Sequence, residues 1–313
     1  MATVTRRPLG AGATPAPRAV AATWWRSRQL KGVGYATPAA LVVAVFFVAP
    51  LVLVGWMSLN HWPLLGPPSP NAPDNYTGLV HNPLIPDAIW FTLRYTAVVT
   101  VVLILAALGL ALLVQERRLG VGLFRTAYFL PGAVGLASAS LLFYGMLRGD
   151  GGPVDGILRH LGLIDHPVSW TGTPTMALAS TVGLIVWRFA GFDMLILLTG
   201  LQAIPTELYE AARVDGAGHW RVFRRITLPL LRPTLALILV LTITGSLLAF
   251  DQFFIFTRGG PDNSTLTVVM VVYREAFVRF DLGAAAALSV VVLAVLVVLN
   301  VLQLRVLRRG SSR

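Results

Sequence analysis

Six stretches of 22 to 26 residues, none with more than two charged side chains, recur along this sequence at roughly 38–59, 89–114, 124–147, 176–200, 234–256 and 283–304. An α-helix needs about 20 apolar residues to cross a hydrocarbon core of roughly 30 Å. Lipid offers the backbone no hydrogen-bond partners, so runs of this kind are committed to helices. The fold class that follows is an all-α membrane protein with six transmembrane helices. Composition agrees: 56% of the residues are hydrophobic and only 12% charged, far from the soluble average.

The formal charge of +11 suggests a nucleic-acid partner, but the basic residues are scattered between the apolar spans and form no continuous face. They sort by membrane side instead. Residues 1–34 are rich in Ala, Pro and Arg, carry Arg6, Arg7, Arg18, Arg26, Arg28 and Lys31, and read as a mostly disordered basic tail. The apolar run after them is too long for a signal-peptide core and lacks a small-x-small cleavage site, so it reads as an uncleaved helix. With the N-terminus inside, the tail, residues 115–125, residues 201–233 and the C-terminal end hold 18 Lys and Arg. The opposite side holds six: Arg94, Arg148, Arg159, Arg258, Arg274 and Arg279. Positively charged loops are retained in the cytoplasm, so both termini are expected there. The domain organisation is then a cytoplasmic tail over 1–34, a six-helix membrane domain over 35–309, and a cytoplasmic tail over 310–313.

Several chemistries are excluded. The chain has no cysteine, which removes disulfides, thiolate metal sites and cysteine nucleophiles. Its one lysine, Lys31, is followed by Gly32, so no G-x-x-x-x-G-K-[ST] phosphate loop exists. Neither a G-x-S-x-G elbow nor an H-E-x-x-H pair is present, and His61, His81, His160, His166 and His219 show no ligand spacing. No catalytic residue, metal ligand or cofactor of its own is expected, and the chain is not expected to be an enzyme.

The loop at 201–233 is unlike the short connectors that usually join membrane helices. Pro205 and Thr206 start a helix with Glu207 and Glu210 in its first turns, where the macrodipole favours acids. Asp215-Gly216 is a turn signal. A second short helix over about 217–225 brings Trp220, Phe223 and Arg224 near one face, and Pro229 and Pro233 are expected to break the chain before the fifth span. By spacing alone, this helix-turn-helix rests on lipid headgroups or docks another protein.

The residues say more than the spacing. Glu210-Ala211-Ala212, Asp215-Gly216-Ala217 and Ile226-Thr227-Leu228-Pro229 together resemble the E-A-A loop of permease subunits of binding-protein-dependent ATP-driven importers. The likeness runs from Thr37 to Arg309 and is closest to the carbohydrate branch, the maltose-type and glycerol-phosphate-type permeases. It includes residues 122–126, the Pro131-Gly132 break, Trp187-Arg188, residues 250–261, residues 273–277 and residues 280–284. A Pro-rich first outer loop and Arg258 before Gly259-Gly260-Pro261 depart from that pattern and bear on docking of the external binding protein.

The resemblance implies a type I ABC importer permease fold in the bacterial plasma membrane and a mechanism shared among several chains. Partners are a second six-helix permease subunit, two ATPase subunits that hold ATP and Mg, and an extracytoplasmic solute-binding protein. Residues Glu210, Ala211, Ala212, Asp215, Gly216, Ala217, Ile226, Leu228 and Pro229 are the expected coupling set. The implied cargo is a sugar, an oligosaccharide or a polyol phosphate.

Ionisable groups at membrane depth usually face a cavity or a partner. Arg188 and Asp193 in the fourth span and Asp251 in the fifth read either as a helix-positioning ion pair with a snorkelling Asp251, or as the lining of a polar path. The resemblance places solute contacts on these two helices near Phe189, Phe192, Thr242 and Ser246, whose rings and hydroxyls suit sugars. Trp187 joins this pathway set, although Trp187, Phe189 and Phe192 read equally well as packing residues. A secondary carrier working without an ATPase is the alternative; it predicts internal repeats and matching broken helices, and no repeat is visible.

Overall fold

A computed structural model describes residues 35–116, 119–149 and 151–310, with side chains described up to residue 305. The readings on the 1–34 tail, Arg117, Arg118, Asp150 and residues 311–313 lie outside the described residues. The chain divides between Leu53 and Val54 into two units.

Helix α1 (Tyr35–Met57) is apolar on every side, with Leu41, Phe46, Phe47 and Leu51 exposed, the pattern of a helix meant for lipid. It contains a wide π turn at Ala44–Val48, where the Ala49 N–H bonds back to the Ala44 carbonyl. Pro50 follows at once. Shifting the bonding by one residue leaves a carbonyl unclaimed just where proline has no N–H to offer, so the helix continues through it.

In the second unit, α3 (Leu84–Val114) and α7 (Pro174–Gln202) form the most extensive helix pair. Ala107 and Ala111, one turn apart and fully buried on α3, let Met194, Leu197 and Leu201 of α7 close against them. Small residues at such positions substitute for the hydrophobic driving force that lipid removes. A second core joins Phe91 and Tyr95 of α3 to Phe253, whose ring stands edge-on to both at 5.1 and 4.8 Å.

Two of the expected spans are not straight. The third is split into α4 (Val121–Phe129), a 3-10 turn (Leu130–Ala133) and α5 (Leu136–Met146), and the two arms bend by 96°. Pro131 lies in the tight turn and Val134 is extended, so helix bonding cannot bridge it. The segment before the fifth span is likewise bent, by 65°, between α9 (His219–Leu230) and α10 (Arg232–Leu247). Among the described residues, four helices are long and apolar enough to span on their own, and the total reaches six if each bent pair counts as one span.

The span expected over 234–256 also stops early. α10 ends at Leu247, residues 248–250 are irregular, and helical turns resume over 251–257. One carbonyl freed by this break, that of Ala249, accepts the fully buried Thr267 hydroxyl at 2.8 Å. Irregular backbone at this depth persists only where such substitutes exist or a cavity is lined.

The loops carry helices of their own: α2 (Asp74–His81), α6 (Pro153–His160) and α11 (Val268–Phe277). The Pro-rich loop before α3 is tied down. Asn75 Nδ2 donates to the Ser58 and Asn60 carbonyls at 2.9 and 3.0 Å, and Asn82 donates to Glu275 at 2.8 Å. Gly283, at the start of α12 (Leu282–Gly310), leaves room for this network, since a Cβ there would press on Asn60 and Asn75.

Candidate functional site

The break after α10 opens a cavity of about 390 Å³ among α3, α5, α7, α10 and residues 248–252. Helical spacing decides what reaches it. Phe189, Phe192 and Asp193 face it from α7 at i, i+3 and i+4, as does Ile185 one turn earlier. Thr242, Gly245 and Ser246 repeat the same spacing on α10, and Phe250, Asp251 and Gln252 close the end. The walls therefore combine aromatic rings, hydroxyls and two carboxylates.

Six of the eight pathway residues read from sequence meet here: Phe189, Phe192, Asp193, Thr242, Ser246 and Asp251. Trp187 and Arg188 do not line the cavity. Trp187 lies in a separate groove and leans on Phe143 at 5.4 Å. The Arg188 guanidinium sits 4.7 Å from the Phe189 ring centre and beside Gly132, with its Nε buried and unpaired. No ion pair joins Arg188 to Asp193 among the described residues, so the helix-positioning pair allowed by sequence does not form. Arg188 is absent from the lining, although its guanidinium folds back over the ring of Phe189.

The cavity also uses residues the sequence did not single out. Tyr95, only 1% exposed, receives a hydrogen bond from Gln252 Nε2 at 3.2 Å, while Gln252 Oε1 is buried and unpaired. A tyrosine within an otherwise apolar span and a glutamine inside residues 250–261 were the available signals. The Asp193 carboxylate is 4% exposed and, like that of Asp251, has no hydrogen-bond partner among the described residues.

The second place of interest is the hairpin of α8 (Thr206–Val214) and α9. Gly216, with φ +70°, makes the turn between them, and the Ala217 N–H closes it on the Ala212 carbonyl at 2.9 Å. Tyr209 and Thr227 share a hydrogen bond across the arms at 3.2 Å. Inside, Ile204 and Leu231 pack with Leu197 and Leu201, which fixes the hairpin to α7. Outside, among exposed charged residues, it presents three large apolar side chains: Leu208 is 41% exposed, Trp220 68% and Val214 88%.

The E-A-A residues divide between these sides. Glu210, Ala211, Asp215 and Gly216 are exposed, Ala212 is buried within its own chain, and Ala217, Ile226, Leu228 and Pro229 are half-buried. Glu210 and Arg213 approach to 4.0 Å, both largely exposed, a pair that contributes little. Pro229 does not break the chain. The Leu228 N–H bonds to Phe223 in a second π turn, so α9 accommodates Pro229 as α1 does Pro50, and the bend falls at Leu231. Pro233 sits in the first turn of α10, where no N–H is required. Among the described residues no group of three or more His, Asp or Glu gathers as a metal site.

Residues 91–311 match the family described as binding-protein-dependent transport system inner membrane component. The chain belongs to this family. The sulfoquinovosyl glycerol transport system permease protein SmoG of Agrobacterium fabrum is 34% identical over 87% of this chain and 88% of its own length. The lactose transport system permease protein LacF of Rhizobium radiobacter is 32% identical over 89% and 94%. The sn-glycerol-3-phosphate transport system permease protein UgpA of Salmonella typhimurium is 33% identical over 86% and 90%. In fold, the chain is similar to a bacterial ABC transporter involved in the import of the acidic polysaccharide alginate: TM-score 0.79 at 23% identity, covering 92% of this chain and 99% of that one. This permease is thus a multi-pass protein of the bacterial plasma membrane, with the helical architecture of type I ABC importers. It is a transport subunit.

Proposed function

We propose that this permease forms half of a translocation path for a sugar, oligosaccharide or polyol phosphate, and that a separate ATPase drives it through the hairpin of α8 and α9. One observation carries the reading: the chain runs from the exposed hairpin through a single bend at Leu231 into α10, the helix that presents Thr242, Gly245 and Ser246 to the cavity. Displacing the hairpin therefore displaces a cavity wall. Exposed Leu208, Val214 and Trp220 are apolar side chains that a cleft on another protein would cover. The Arg distribution supports the same arrangement, with both termini and the hairpin in the cytoplasm, where ATP and Mg reside on two ATPase subunits. A second six-helix subunit completes the path, and an extracytoplasmic binding protein delivers the solute. Relatives named for lactose, sulfoquinovosyl glycerol and sn-glycerol-3-phosphate support a carbohydrate or polyol cargo.

The test is at Gly216. No atom lies within 4 Å of where its Cβ would be, so within this chain a side chain meets only the positive-φ strain of about 1–2 kcal/mol. Gly216→Ala adds that strain, and Gly216→Leu adds bulk on the exposed side. In vesicles carrying the whole transporter, ATP-driven uptake is expected to fall about tenfold or more for Gly216→Leu and much less for Gly216→Ala, with equal membrane insertion. Unchanged uptake in the leucine variant would remove the coupling role.

A further inference from the structure

The cavity wall is electrostatically one-sided. Among the described residues that line it, Asp193 and Asp251 are the only acids, and no Lys, Arg or His is present. Asp193 is almost wholly buried and Asp251 half-buried, and no described residue donates to either carboxylate. The one guanidinium nearby in sequence, Arg188, lies over the Phe189 ring and beside Gly132, off the wall. Carboxyl oxygens that reach a cavity with no partner in their own chain are open to donors from a bound molecule. Phe189, Phe192 and Phe250 supply rings, and a volume of about 390 Å³ lies in the range of small-molecule sites, about 300–1,000 Å³.

From this we infer that the cavity takes an uncharged carbohydrate, whose hydroxyls donate to Asp193 and Asp251 and whose apolar ring face lies on the phenylalanines, and that it rejects sugars bearing carboxylate, phosphate or sulfonate groups. A sugar ring has this dual character, with C–H bonds gathered on one face and hydroxyl donors around the edge. An anionic sugar brings a like charge towards two carboxylates that no cation on this wall offsets, and that repulsion sets the selectivity. The inference rests on the reading that this cavity is part of the solute path, and it narrows that reading's cargo to one of the classes left open.

The complete transporter, purified through this chain, freed of its binding protein and held in lipid nanodiscs, provides the test. Lactose and a digalacturonate, matched in size and differing in charge, serve as probes in equilibrium dialysis. Lactose is expected to bind at least about tenfold more tightly than digalacturonate, and Asp193→Asn combined with Asp251→Asn is expected to bring the two within about threefold. Gly245→Leu serves as a plug: Gly245 lines the cavity and an added Cβ meets nothing within 4 Å, so the leucine is expected to occupy the cavity and abolish lactose binding. Two results overturn the inference in distinguishable ways. Digalacturonate binding as well as lactose, and both lost in Gly245→Leu, would refute the charge selectivity while upholding the cavity as a solute site. Binding of neither sugar, or binding indifferent to Gly245→Leu, would remove the cavity from the solute path altogether. Isosteric Asp-to-Asn changes keep folding out of the comparison, and monodispersity on gel filtration verifies it.

Discussion

Gly191 shows how closely the helices of this permease are fitted. A Cβ at this position of α7 would run into the Tyr128 carbonyl on the α4 arm of the bent pair, whereas one at Gly183, two turns earlier, would meet nothing within 4 Å. Backbone cannot yield as a flexible side chain does. Gly191→Ala is therefore expected to lower stability by about 1–3 kcal/mol, read as a drop of several degrees in the detergent melting temperature, while Gly183→Ala leaves it unchanged or slightly raised. Equal melting temperatures for the two variants would contradict the contact. The family resemblance pointed to Phe189, Phe192, Thr242 and Ser246, whose rings and hydroxyls suit sugars, and the structure brings these four to one cavity. Direction did not come with type. Trp187 and Arg188 directly precede Phe189 in sequence yet do not line the cavity, and Tyr95 and Gln252 reach it from segments whose meeting no single-chain pattern encodes.

Among the elements, the hairpin of α8 and α9 was the most legible, since Thr206, Asp215 and Gly216 are strong local signals and the structure starts and turns the helices there. Its second arm was not. Pro229 reads as a stop, and only the π turn ahead of it, a feature of hydrogen-bond register and not of composition, lets α9 run on to Leu230. The same difficulty hid the interruption at 248–250, which contains no Pro or Gly and depends on Thr267 from a distant loop. Helices α2 and α11 escaped because eight to ten residues give too little periodicity to distinguish from a loop. The hairpin's exposed apolar side chains lead to a measurement at this scale. Val214→Glu and Trp220→Ala are expected to reduce co-purification of the ATPase subunit by about tenfold, the effect of removing a central interface anchor worth about 1.4 kcal/mol or more, at unchanged levels of the chain in the membrane. Full recovery of the ATPase with both variants would place the docking surface elsewhere.

For the molecule as a whole, the division of labour has a direct check. With Lys31 its only lysine and no phosphate loop, the purified permease is expected to show no saturable binding of ATP with Mg, whereas the assembled transporter does. A saturable signal from the isolated chain in a filter-binding titration would mean that it shares in the energy-consuming step.

The corner at Leu231 has a further consequence, one of phase. Each residue added to a helix rotates everything beyond it by about 100°. An insertion or deletion of one residue between Leu230 and Thr242 would keep the hairpin, the apolar length of α10 and its composition, yet swing Thr242, Gly245 and Ser246 round to face lipid or a neighbouring helix. Substitutions on this stretch are graded in their effect, but a change in its length is all-or-none, like a key cut correctly and mounted a quarter-turn off its shaft.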